Sequence, residues 1–147
     1  WRSKNAKRET FRTNDEIRTT NGKRRRLLVA TFIISGSRGT DDPTMATLPF
    51  MAAKTAKEQG HDVVLWLWNE AVTLGRKGTA DHVTGVNLTP LKDLLAAVQA
   101  AQIPIWVCGA CAVARQITAA DLVAGASIKG MPDYIKAVAE RDRNVTF

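Results

Sequence analysis

Short apolar runs alternate along the chain with longer segments in which apolar residues recur every three or four positions. The runs at residues 27–34 and 61–68 are dominated by apolar side chains, and the first is rich in β-branched residues, as buried parallel strands require. Three shorter runs, at residues 103–108, 126–129 and 144–147, are predicted as further strands. The pattern therefore predicts a sheet of about five strands.

The segment after the first strand predicts a helix. Asp42 followed by Pro43 is a typical N-cap and first-turn pair, and Gly60 is placed to end a helix that extends to about Gln59. Pro49 lies inside this span, so we expect a kink or a delayed start. The apolar stripe expected to face the core is Met45, Leu48, Met51, Ala52 and Ala56.

Further helices are predicted between the later strands, at residues 90–102 with Thr89 as the cap, at 109–116 and 118–124 as two short helices, and at 132–141. Strands that alternate with helices imply a mostly parallel sheet covered on both faces, a three-layer α/β/α fold. The stripes expected to face the core are Leu91, Leu94, Leu95 and Val98 in the first of these helices and Tyr134, Ile135, Val138 and Ala139 in the last.

The net charge of +7 is unevenly distributed along the chain. Of the 21 Lys and Arg and the 14 Asp and Glu, ten basic and three acidic residues lie in residues 1–26, so residues 27–147 are neutral. We expect a basic, disordered leader over 1–26 and a single domain over 27–147. Nucleic acid is not expected as a partner except through the leader, because the domain has no excess positive charge.

Two other classes of protein do not fit the composition. No apolar run approaches the roughly 18 residues of a membrane span, so no membrane association is expected. Two cysteines are too few for the disulfide framework of a small secreted domain. They indicate thiol chemistry in a reducing compartment, and the expected location is the cytoplasm.

The two cysteines, Cys108 and Cys111, form the most informative motif of the chain. Cys108 ends the third predicted strand, and catalytic groups of open parallel sheets gather beyond the carboxyl ends of the strands. A helix that starts at Gly109 would present N–H groups and its positive dipole end to the Cys108 thiol and favour the thiolate. Cys111 lies one turn further along the same side of that helix. We therefore predict Cys108 and Cys111 as catalytic residues.

The pair has two other interpretations. Cysteines also occur in cores as small apolar residues, but the combination of a strand end, a helix start and a second thiol favours function. A zinc site would need two more ligands, and His61 and His82 do not form a ligand-spaced pair. Neither a metal nor a cofactor is expected.

Weaker candidates follow the first two strands. Gly36 and Gly39 could line an anion pocket, although a tight turn explains them without a ligand because the stretch matches no phosphate-binding fingerprint. Glu70, with Arg76 and Lys77 after it, could tune the thiol. A solvated loop is the alternative interpretation of these three residues.

Several stretches occur in a characteristic order. The first strand runs into residues 38–43, a middle segment contains 70–72 and 76–78, Val107-Cys108 is followed by 114–117, and residues 130–147 end the chain in a helix and a strand. In this order and spacing, residues 27–147 resemble the DsrE/DsrF-like family of sulfur-relay proteins.

The resemblance implies a compact α/β/α fold, assembly into trimers or hexamers, and a cysteine that holds sulfur as a persulfide. Cys108 falls on the position of that cysteine, whereas Cys111 is not found in every branch of the family. Gln116 stands where a glycine is common. The residues predicted to bind or support are Arg115, Gly109, Glu70, Gly39 and Asp42.

The leading hypothesis is a homo-oligomeric sulfur carrier or sulfurtransferase component that exchanges sulfur with donor and acceptor proteins. In it Cys108 accepts the sulfur, Cys111 resolves the persulfide, and Arg115 attracts the anionic donor. A thiol–disulfide oxidoreductase is the first alternative, because C-x-x-C beside an α/β pattern is also the thioredoxin signature. The second alternative is a non-catalytic oligomeric binding module with inert cysteines.

Overall fold

The computed structural model describes residues 29–147, and the predicted leader at 1–26 lies outside them. Five strands form one sheet in the order β4-β3-β2-β1-β5, and every neighbouring pair is parallel. The strands are β1 (Thr31–Gly36), β2 (Asp62–Leu67), β3 (Ile105–Cys108), β4 (Ala126–Lys129) and β5 (Arg143–Thr146). The predicted sheet is confirmed, with β1 beginning and ending later than the apolar run alone indicates.

The helices are α1 (Pro43–Glu58), α2 (Leu91–Ala100), α3 (Gly109–Ala114) and α4 (Met131–Glu140), with 3₁₀ turns at Asn69–Gly75, Thr79–His82 and Ala119–Asp121. The chain steps from β1 to β4 in one direction and then returns past β1 to form β5. Because such crossovers are right-handed, α1 and α2 cover one face of the sheet and α4 covers the other. On that second face Tyr134 stacks on Trp66, with ring centroids 4.8 Å apart. The three-layer α/β/α fold is therefore confirmed.

The start of α1 follows the prediction, but its buried face does not. Asp42 caps the helix by accepting the N–H of Met45 at 3.0 Å, and Pro49 neither delays the start nor ends the helix. Pro49 instead packs onto β1, where a Cβ on Gly36 would be 2.7 Å from its Cγ. The predicted stripe is only half-buried, because the helix turns Phe50 into the core and brings small residues against the sheet. The buried residues are Ala46, Thr47, Pro49, Phe50 and Ala53.

The two later helices differ in how well their faces were predicted. All four stripe residues of α2 are buried. In α4, however, Ile135 is 57% exposed, Ala139 is also exposed, and the buried residue is Ala137. Within residues 29–147, α4 is the one helix on this face of the sheet, so only the narrow strip of it that faces the strands is buried.

Two predicted details are wrong. Thr89 does not cap α2, because the helix begins after Pro90 and its first N–H, on Leu91, donates to the Val83 carbonyl at 3.0 Å. The helix predicted at 118–124 is a single 3₁₀ turn, Ala119–Asp121. Gly125 follows with φ +80°, and the chain then enters β4.

Candidate active site

The carboxyl ends of β1, β2 and β3 meet at one edge of the sheet. Cys108 is the last residue of β3, Asn69 and Glu70 open the turn after β2, and Gly39 lies in the loop after β1. Parallel strands gather their following loops at this edge, which is where open α/β sheets place their reactive groups. The topology thus brings most of the predicted site residues to one place.

The two thiols are neighbours across the junction of β3 and α3 but differ in exposure. Cys108 is 5% exposed, while Cys111 on α3 is half-buried, and both are free cysteines. The Cys108 thiol is near enough to Cys111 to raise the pKa of that thiol. The α3 backbone does not cap the Cys108 thiol: no side-chain hydrogen bond is made at this N-cap. The expected donation from the helix start to Cys108 is therefore wrong.

The hydrogen bond to a thiol comes from the backbone N–H of Asn69 and not from the start of α3, and its acceptor is Cys111 and not Cys108. The Asn69 N–H reaches Cys111 Sγ at 3.3 Å. Asn69 has φ +52°, a left-handed conformation that Asn tolerates better than most side chains. Sequence reasoning missed Asn69, and the only local signal was an asparagine directly after a strand end.

Arg115 ties the turn after β2 to the end of α3. Its guanidinium makes two hydrogen bonds to the Glu70 carboxylate and donates to the Cys111 carbonyl at 3.1 Å and to Asn69 Oδ1 at 3.4 Å. Such a two-pronged Arg–carboxylate pair fixes orientation as well as charge. Because the Glu70 carboxylate neutralises its charge, Arg115 stabilises the geometry of the site more than it attracts an anionic donor.

Gly39 supports this turn by lacking a side chain. A Cβ at this buried residue would lie 2.6 Å from the Glu70 carbonyl oxygen and 2.9 Å from Thr73 Oγ1. Its N–H donates to Asp41 Oδ1 at 2.7 Å, which holds the loop in a tight turn. Asp42 points elsewhere, since its carboxylate caps α1. The loop after β1 therefore affects the thiols indirectly, by packing against the turn that contains Glu70 and Thr73.

Gly109 and Lys129 flank the thiols on the side of β4. A Cβ on Gly109 would lie 3.2 Å from Ile128 Cγ2, so the glycine lets α3 start close to the edge strand. Lys129 is the register partner of Cys108, and its Nζ lies 5.7 Å from the Trp106 ring centroid. This cation beside β3 was also missed by sequence reasoning, which placed Lys129 only as the end of a short strand.

The basic residues predicted to accompany Glu70 do not join it. Lys77 Nζ donates to the Ala120 carbonyl at 2.8 Å, and the backbone of Arg76 forms an isolated antiparallel β-bridge with that of Leu122. Both residues attach the far end of the first 3₁₀ turn to the segment before β4. They stabilise the scaffold rather than approach the thiols.

The electrostatics of the site act mainly on Cys111 and Glu70. Burial raises the pKa of the Cys111 thiol, the neighbouring Cys108 thiol raises it further, and the Asn69 N–H and the Arg115 charge oppose the rise. The hydrogen bonds from Arg115 lower the pKa of Glu70, which stays ionised. Cys111 is therefore a mostly protonated thiol at neutral pH, next to groups that stabilise its anion.

Over residues 29–147, no cluster of three or more His, Cys, Asp and Glu side chains has the arrangement of a metal site. None of the helices in the same region combines the length and the apolar character needed to cross a membrane. The chemistry that the site offers is that of two adjacent thiols.

Comparison with known proteins connects this site to a family. A model of the DsrE/DsrF-like family matches residues 30–147. Among solved structures, the crystal structure of the ychN protein from E. coli matches with a TM-score of 0.64 and 21% sequence identity, over 81% of this chain and 98% of the other. No curated protein matches the chain. At that identity the ychN structure supports the fold alone.

Proposed function

The chain belongs to the DsrE/DsrF-like family, and on that premise we propose that it is a sulfur carrier or sulfurtransferase component that holds sulfur as a persulfide on Cys108. The observation that supports this most directly is that two free thiols, at the last residue of β3 and one turn into α3, lie together at the carboxyl edge of the sheet. His61 precedes β2 at the opposite edge, and neither His61 nor His82 is among the groups that shift the pKa of Cys111, so the pair is suited to thiolate exchange rather than to hydrolysis with a histidine base.

Sulfur exchange of this kind needs no external oxidant. A thiolate of the pair attacks the outer sulfur of a donor persulfide, R–S–SH, forming a new S–S bond while the donor's S–S bond breaks. The donor leaves as R–S⁻ and takes up the proton lost by the protein thiol. Passing the sulfur to an acceptor thiol is the same reaction in the opposite direction, so donor and acceptor proteins are the proposed partners.

A surface next to the site supports contact with such partners or with further copies of the chain. Large apolar side chains are exposed on α3, β4 and α4: Val113, Ile128, Met131 and Ile135. Val113 lies on the helix that carries Cys111, and Ile128 lies beside Gly109 at the start of that helix. Exposed apolar groups near a site are typical of protein interfaces. We propose a homo-oligomer, a trimer or hexamer, acting in the cytoplasm.

The proposal is tested by loading the protein with a cysteine desulfurase and L-cysteine and measuring its intact mass. We expect the wild type to gain one sulfur atom, to lose it on reduction, and to show it on Cys108 after peptide mapping. The matched control is the double variant Cys108→Ala with Cys111→Ser, which should gain none. A wild type that gains no sulfur, or a double variant that gains as much, refutes the proposal.

A thiol–disulfide oxidoreductase is the second candidate, because Cys108 and Cys111 are both free and are three residues apart at the start of α3, the C-x-x-C spacing of such enzymes. Equilibration with glutathione buffers separates the two functions. An oxidoreductase should convert its pair between dithiol and disulfide at physiological potentials, whereas a carrier need not.

The burial of Cys108 favours a third candidate, a binding module in which the cysteines are inert. If both thiols react with an alkylating reagent only as fast as the protein unfolds, this candidate is supported and the carrier is not.

A further inference from the structure

The two thiols are unequally placed for a partner protein. Cys108 is 5% exposed at the end of β3, while Cys111 on α3 is half-buried. A donor that is itself a protein must bring its persulfide sulfur into bonding contact with the attacking sulfur. Of the two, only Cys111 has open surface from which such an approach is made.

The hydrogen-bond donor of the site is also aimed at Cys111. The Asn69 N–H reaches its Sγ at 3.3 Å, and Arg115, which is held by Glu70, donates to the carbonyl of the same residue. A fixed N–H at a sulfur stabilises negative charge there, both when the thiolate attacks and when it departs. The α3 backbone offers no matching donor to the Cys108 side chain.

We infer that sulfur enters the protein at Cys111 and is then transferred inward to Cys108. This inference rests on the proposed carrier function and adds the order in which the thiols act. Cys111 thereby becomes a second catalytic residue with a role different from resolving a persulfide.

Both steps balance without an oxidant or a reductant. In the first, Cys111 Sγ attacks the outer sulfur of R–S–SH, giving Cys111–S–SH and R–SH. In the second, Cys108 Sγ attacks the outer sulfur of Cys111–S–SH, so a new S–S bond forms on Cys108 and the bond to Cys111 breaks. Cys111 leaves as a thiolate that the Asn69 N–H stabilises, and it regains the proton released by Cys108.

The order of the steps is tested with single variants and the same desulfurase and L-cysteine. We expect Cys108→Ala to gain one sulfur that maps to Cys111 and stays there. We expect Cys111→Ser to load Cys108 about tenfold more slowly, because the buried thiol is then the only acceptor. In the wild type, quenching at short times should show sulfur on Cys111 before it appears on Cys108.

The outcomes separate this inference from the carrier function. If Cys111→Ser loads Cys108 as fast as the wild type, or if sulfur appears on Cys108 from the earliest time, the inward transfer is refuted and the carrier function stands. If the wild type gains no sulfur, both fail. Equal urea unfolding midpoints for the two single variants and the wild type establish that the rates refer to folded protein.

Discussion

The backbone N–H of Asn69 donates to Cys111 Sγ at 3.3 Å although the two residues are 42 positions apart in the chain. The Arg115–Glu70 pair makes a second connection between the same two segments. The reactivity of Cys111 therefore depends on the position of the turn after β2. Substitutions that are remote from the thiol can alter it by moving that turn.

The pH dependence of Cys111 alkylation should show its raised pKa. Burial is the largest cause, and the neighbouring Cys108 thiol adds to it, so the rate should keep rising beyond pH 9.0, the ordinary pKa of a cysteine. In Cys108→Ala the contribution of Cys108 is lost, the pKa of Cys111 falls, and alkylation at about pH 7 becomes faster. Mass spectrometry of iodoacetamide-treated protein measures the rate. An unchanged or slower rate in Cys108→Ala contradicts the prediction.

Replacement of Gly39 by alanine should displace the turn after β2. The new Cβ would meet backbone atoms of Glu70 at 2.6 Å and 3.0 Å, which cannot rotate away. We expect a loss of about 1–3 kcal/mol in the free energy of unfolding, together with a changed alkylation rate of Cys111. Urea unfolding and mass spectrometry measure the two effects.

Gly60→Ala is the matched control for Gly39→Ala. Gly60 has φ +86°, and a Cβ added there would have no atom within 4 Å, so its replacement should cost about 1–2 kcal/mol through backbone strain alone. Cys111 alkylation should not change. If both variants leave Cys111 reactivity intact, the turn does not position the thiol.

Acid should weaken the protein in part through Glu70. Arg115 lowers the pKa of Glu70 below its ordinary value of 4.5, so the pair contributes stability above that value and loses it as the pH falls through the lowered pKa. We expect Glu70→Gln to be less stable than the wild type at neutral pH and the difference to shrink in acid. Urea unfolding at a series of pH values measures this.

Glu58→Gln serves as the control for the acid experiment, because Glu58 pairs with Lys54 on the exposed side of α1, away from the thiols. Surface pairs of this kind contribute little, so its curve should follow that of the wild type. A constant difference between Glu70→Gln and the wild type at all pH values would contradict the assigned role of the carboxylate.

Gln116→Gly should stabilise the protein. Gln116 has φ +53° at the end of α3, where the N–H of Ile117 returns to the Ala112 carbonyl at 2.9 Å, and only glycine adopts this conformation without strain. We expect a gain of about 1 kcal/mol in the free energy of unfolding. Gln59→Gly, at a helix end with φ −78°, should give no gain. Equal effects at both positions would show that φ is not the cause.

The alternation of apolar runs with helical segments was sufficient to predict the architecture. β3 ends at Cys108 and β4 covers residues 126–129, as the apolar pattern predicts. Both strands are bounded by residues that change the local backbone, Gly109 after the first and Gly125 before the second. Such boundaries depend on the residue at that position, so they can be recognised from the sequence alone.

The features that escaped prediction depend on contacts between distant segments. The buried face of α1 is set by Phe50 and by the close approach of Pro49 to Gly36, which no helical period encodes. The pairing of Arg115 with Glu70 and the donation from Asn69 require the loops after β2 and β3 to be neighbours in space. The thiols could be named from the sequence, but the groups that govern them could not.

The position of β5 beside β1 also has a consequence for how the protein is made. Thr31 and Asp142 are hydrogen-bonded across 111 positions, so the partner of β1 leaves the ribosome long after β1 itself. At about 5–20 residues per second, this delay is roughly 6–20 seconds. During this delay, β2, β3 and β4 emerge and can pair in turn, while the edge of β1 that later pairs with β5 is open. That open edge is a site for mispairing with other nascent chains or for protection by a chaperone.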